Sequence, residues 1–100
     1  MASRLKLQEE FEAILGSKNV YFQPPARMSY PCIKYSLVGM DIKHANNAIY
    51  KNTNRYEVVV IDFDPDSTIH TDILNHFKMC SFDRAYQSNN LNHFVLTLYF

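Results

Sequence analysis

The chain of 100 residues has two glycines, which excludes loops that cradle phosphate with closely approaching backbone. Its two cysteines, Cys32 and Cys80, are too few and too far apart for a small secreted disulfide scaffold. Free buried thiols in a reducing compartment are expected instead. No apolar run approaches the roughly 20 residues that span a bilayer. Met1–Lys6 leads straight into a charged helical pattern rather than a signal peptide, so a soluble protein made in the cytoplasm is expected. Charge of one sign is also missing, since ten Lys and Arg balance ten Asp and Glu. With no basic surplus to neutralise phosphates, a protein that wraps a polyanion is not expected. Near-zero charge also removes the repulsion that keeps small proteins apart, which eases self-association.

Apolar residues are abundant. They make up 47% of the chain, enough for one folded domain over residues 1–100 with a single core. The stretch Arg55–Ser67, RYEVVVIDFDPDS, reads as a strand running into a helix start. Tyr56, Val58 and Val60 share one face; Glu57, Val59, Ile61 and Phe63 share the other. Val58–Ile61 is apolar on both faces, as in a central strand covered from both sides. Asp62, Asp64, Pro65, Asp66 and Ser67 end the strand, and Asp66 or Ser67 is expected to cap the next helix.

The other elements are arranged around this strand. Leu7, Phe11, Ile14 and Leu15 give Ser3–Leu15 the spacing of an amphipathic helix, stopped by Gly16. Val20–Phe22, ended by Pro24 and Pro25, fits a short edge strand. Tyr30–Leu37 is a second strand with Ile33, Tyr35 and Leu37 inward. A reversal at Asn46-Asn47, where both residues tolerate left-handed dihedrals, predicts a hairpin. Symmetry about that pair sets Ile33 opposite Val60, Tyr35 opposite Val58 and Leu37 opposite Tyr56. Glu57 then faces Ser36, diagonal to Lys34. The outer part of the hairpin, Gly39–Asn54, is more polar than its base. If extended, it reaches about 25 Å beyond the core. It is either a β-meander loop or an assembly arm touching a neighbouring subunit. Ile69, Ile73, Leu74 and Phe77 form a second amphipathic helix. Lys78–Asn92 is polar and carries no clear pattern. Leu91–Phe100 closes the chain as a strand, with Phe94, Leu96, Leu98 and Phe100 on one face and Val95, Thr97 and Tyr99 on the other. The fold expected is α+β: a largely antiparallel β-sheet with an extended central hairpin and two main helices packed on it.

Candidate chemistry is sparse. Asp62-x-Asp64-x-Asp66 opens like a calcium loop, but Ser67 stands where glycine is needed and Ile73 where a bidentate glutamate belongs. A strand-to-helix turn is the simpler reading. His70 and His76 do not share a helix face. His76 and Cys80 have i, i+4 spacing, but no second pair completes a tetrahedral zinc site. His44 and His93 lie in asparagine-rich stretches and are expected to be solvated loop residues. No Gly-x-Ser-x-Gly elbow occurs, and neither cysteine has a nucleophile motif around it. Glu9, Glu10 and Glu12 read as a solvated helix face. No enzyme, cofactor or metal is expected.

The stretches NVYFQPP (Asn19–Pro25), YPCIKYS (Tyr30–Ser36), RYEVVVIDFDPDS (Arg55–Ser67) and CSFDRAYQSNNLNHFVLTLY (Cys80–Tyr99) resemble the small neck proteins of tailed bacteriophages. In particular they resemble the tail terminator, or tail-completion, proteins of long-tailed phages of Gram-positive hosts, over nearly the whole chain. The resemblance implies a homohexameric ring that caps the head-proximal end of the tail tube, stops its polymerisation and joins the tail to the head connector. The implied partners are the tail tube protein and the connector or head-closure protein, without a membrane, and DNA passes through the ring without being specifically bound. The implied location is the neck of the virion, assembled in the host cytoplasm. Residues His44, Asn46, Asn47, Ile49, Tyr50, Lys51 and Asn54 of the hairpin are then the candidate subunit or tube contacts. The competing readings are a head-closure or head-completion neck protein, and a monomeric binding module or small regulator.

Overall fold

In the computed structural model the described residues are 4–23, 29–45 and 48–100, with side chains described for all of these except 41–53. The elements are α1 (Arg4–Leu15), β1 (Val20–Phe22), β2 (Cys32–Ala45), β3 (Ala48–Asp62), α2 (Ile69–His76), β4 (Cys80–Ser88) and β5 (Leu91–Tyr99). The strands form one sheet in the order β1-β2-β3-β5-β4. Only β1 pairs in parallel, with β2; the other pairings are antiparallel, and the fold is α+β. β3 is the middle strand, as its two apolar faces require.

Both helices lie against one face of the sheet. Leu7 and Phe11 of α1, Ile73 of α2, and Phe77 just beyond α2 are buried with Ile33, Tyr35, Tyr56, Val58, Val60, Phe94, Leu96 and Leu98. Phe11 stands edge-on to Tyr35 at 5.2 Å and to Phe77 at 5.5 Å, so one ring joins both helical segments to the sheet. The Tyr35 hydroxyl donates to Gln8 Oε1 at 2.6 Å, and Gln8 Nε2 donates to the Val20 carbonyl at 2.9 Å. These bonds fix α1 over β1 and β2. Gly16 takes φ +78° and donates to the Glu12 carbonyl, ending α1 where the sequence predicts. On the opposite face Cys32, Val59, Ile61 and Val95 are buried beneath Tyr21, Tyr30 and Leu91. Pro24 and Pro25, read as the stop of β1, lie outside the described residues.

The hairpin register is the one predicted: Ile33 faces Val60, Tyr35 faces Val58, Leu37 faces Tyr56 and Ser36 faces Glu57. It survives two irregularities. Val38 is an extra residue on β2 between the Leu37–Tyr56 and Gly39–Arg55 pairs. Tyr50 is an extra residue on β3 between the Lys43–Lys51 and His44–Ile49 pairs. The two shifts are opposite and cancel.

Two expectations are corrected, and a stretch without a sequence pattern takes a definite form. Leu37 lies in line with Ile33 and Tyr35 but is 48% exposed: β1 stops alongside Tyr35, and on the rung of Leu37 the cluster takes in Tyr56 and Leu98 but not Leu37. The N-cap of α2 is Thr68, with no side-chain cap; Ser67 Oγ accepts only a 3.4 Å bond from the Ile69 N–H. Lys78–Asn92 contains a fifth strand, β4, joined to β5 through Asn89 and Asn90 at φ 53° and 63°. Two successive left-handed residues are the signature of a type I′ hairpin turn.

Candidate functional site

The candidate site is the outer hairpin. β1 accompanies β2 only through Tyr35, and β5 accompanies β3 only from Arg55, with Asn54 and Phe100 exchanging backbone bonds at 2.9 and 3.3 Å. Beyond these points β2 and β3 pair only with each other among the described residues. This two-stranded arm explains the long shape, 51 × 25 × 23 Å, and a radius of gyration of 14.5 Å. A compact domain of this length would have about 13 Å.

Of the sequence-derived contacts, His44, Ile49, Tyr50 and Lys51 occupy arm strand positions. Asn46 and Asn47 lie outside the described residues, as do the side chains of the other four. Asn54 sits at the base, opposite Met40, with its side-chain oxygen buried and unpartnered.

The base also holds residues outside the sequence-derived contact set. Leu37, Val38 and Met40 are each about half exposed. The side chain of Arg55 lies over Gly39, where a Cβ would come within 2.7 Å of its Nη2. A side chain at this position would displace the guanidinium, the far end of a flexible side chain. The adjacent apolar pair Leu37-Val38, which breaks strand alternation, was the available signal of a bulge.

The remaining polar groups serve local structure. Asp62 Oδ1 accepts the Asp64 N–H at 3.1 Å, and Asp64 Oδ1 accepts the Asp66 N–H at 2.9 Å, so these carboxylates shape the turn. α2 ends at His76, which pairs with Glu10 of α1 at 3.2 Å, while Cys80 opens β4. The helical spacing of His76 and Cys80 is therefore not realised. Among the described residues no three His, Cys, Asp or Glu side chains gather as a metal site. Both cysteines are free, and burial pushes each thiol up to about 11. His93 is a β5 strand residue stacked on Tyr86 at 4.6 Å, not a solvated loop residue, and His44 likewise lies in β2. A cleft of about 70 Å³ lies between Lys34, Tyr35, Ser36, Glu57 and Val59, and an open groove of about 280 Å³ is lined by Lys78, Met79, Cys80, Ser81 and Tyr99. No helix among the described residues is long and apolar enough to cross a membrane.

His70 gives a pH expectation. Its ring stacks on Phe94 at 4.2 Å and lies 6.0 Å from Phe82, with Nδ1 buried and unpartnered. Burial lowers its pKa, against an opposing pull from Asp72. The unfolded chain therefore binds this proton more readily than the folded one. The stabilisation is complete above about pH 6.5 and is lost as pH falls toward the folded value. Thermal melts from neutral pH to pH 5 should show a falling midpoint, and His70→Phe should flatten that part of the profile. An unchanged slope in the variant would remove His70 from this role.

No family model matches the chain, and no curated protein is significantly similar to it.

Proposed function

We propose that this chain is a structural assembly protein of a phage neck: a tail terminator that forms a homohexameric ring on the head-proximal end of the tail tube, halts its growth and joins it to the head connector. The observation that carries this reading is the arm. A two-stranded ribbon whose backbone pairs only with itself among the described residues gains little within a monomer, because isolated hairpins are marginal in water. It becomes worthwhile when a neighbouring subunit or the tube covers it. The net charge of zero agrees with a ring that lets DNA pass without gripping it.

The test is negative-stain microscopy of the protein with its cognate tail tubes, beside the protein alone. A ring or cap at one end of each tube is expected. Bare tubes would overturn the terminator reading, and binding to the head connector instead would make it a head-closure protein. A second variant isolates the arm. Replacing Lys43–Lys51 by a short turn should change stability by less than about 1 kcal/mol, because both core clusters are built from the body of the sheet and the helices. The same variant should fail to cap tubes; normal capping would show the arm to be dispensable.

A further inference from the structure

We propose that the arm of one copy docks on the Asp62–Asp66 end of a second copy, head to tail; this rests on reading the hairpin as an assembly arm. The argument begins with where the balanced charges lie. Residues 39–55 carry Lys43, Lys51 and Arg55 against the single acid Asp41. Residues 62–68 carry Asp62, Asp64 and Asp66 and no Lys or Arg. The two groups sit at opposite ends of β3, whose 15 residues place them tens of ångströms apart along the 51 Å axis. The neutral chain therefore has a basic excess along its arm and an acidic excess along the turn that follows the far end of β3.

The acidic end is also built to meet a partner. Phe63, at its centre, is 64% exposed and stands edge-on to Tyr30 at 5.9 Å. Asn92 Nδ2 donates to the Phe63 carbonyl at 3.3 Å, and the Asp62 and Asp64 carboxylates hold the following N–H groups. An exposed aromatic ring is thus presented on a braced turn, between Asp62 and Asp64 in the sequence, as an apolar anchor among polar residues.

The occupant follows from complementarity. Pairing two arms, or two acidic ends, would bring like charges together. Joining unlike ends brings the basic ribbon onto the acidic turn. A contact between two different surfaces of one chain is heterologous, and its repetition gives a ring when the rotation closes.

Sedimentation velocity on the chain alone tests this, at low salt and at about 0.5 M, where exposed charges are screened beyond a few ångströms. Self-association at low salt that weakens in high salt is expected. Reversing the arm (Lys43→Glu with Lys51→Glu) or the turn (Asp64→Lys with Asp66→Lys) should each weaken association at least about tenfold. An equimolar mixture of the two variants should restore it, because each reversed arm then meets a reversed turn. Asp64→Asn with Asp66→Asn retains oxygen acceptors for the turn while removing charge, and should weaken association in the same direction with the circular dichroism unchanged. A wild-type chain that stays monomeric at low salt, or a mixture no better than its components, overturns the proposal. Tubes capped by a chain that fails the mixing test would leave the terminator reading standing and the docking wrong. Restored association without tube capping would do the reverse.

Discussion

Val58→Asp should leave no folded protein. Val58 is fully buried in β3 between Tyr35 of β2 and Leu96 of β5, with α1, α2 and the rings of Phe11 and Phe77 closing that side. A carboxylate there has no cation within the cluster to pair with. It either remains charged without solvent or takes up a proton and still lacks hydrogen-bond partners. The loss exceeds about 4 kcal/mol, comparable with the whole stability of a domain of this size. Urea unfolding followed by circular dichroism should show no cooperative transition. A soluble variant with a normal transition would mean that β3 does not occupy the centre of the sheet.

Phe11→Ala should cost about 3–5 kcal/mol, the range for deleting a buried aromatic ring. The cost is at the upper end because the ring packs against both β2 and the residue just beyond α2. Its removal takes away the edge-to-face contacts to Tyr35 and Phe77 and opens a void that α1 cannot close while Gln8 remains bonded to Val20 and Tyr35. For a chain of 100 residues this is a fall in melting midpoint of about 15–30 °C. Phe11→Leu keeps most of the volume and should lose less than half as much. Equal losses for the two variants would show that ring geometry rather than filling volume decides the packing.

The parts of the fold that were legible beforehand are those where burial imposes a period. Val58–Ile61 is apolar on both faces because both are covered, and Leu7 and Phe11 in one helix, like Ile69, Ile73 and Phe77 around the other, recur at helical spacing because they meet the same cluster. β4 was not legible for the converse reason. From Ser81 to Ser88 it is exposed, so no alternation is required of it. Its signal lay in the turn: Asn89-Asn90 is the same dipeptide as Asn46-Asn47, and takes up the left-handed pair that the chemistry of asparagine permits. Leu37 was assigned inward because periodicity tells which side a residue faces, not how far the covering layer extends. The arm itself was visible as a polar hairpin. The charge separation was hidden because composition sums over positions, and two opposed ends add to nothing.

The cancelling bulges at Val38 and Tyr50 have a consequence for how this chain can change length. Because one extra residue on each strand returns the pairing to its original phase, what happens within the arm is not transmitted to the body of the sheet. Matched insertions or deletions on the two strands would alter its reach by about 3.4 Å per pair and leave every core neighbour in place. An unmatched one would need a further bulge or would turn each residue beyond it to the wrong side. The reach of the appendage is therefore a parameter that evolution or an engineer can adjust separately from the frame that carries it.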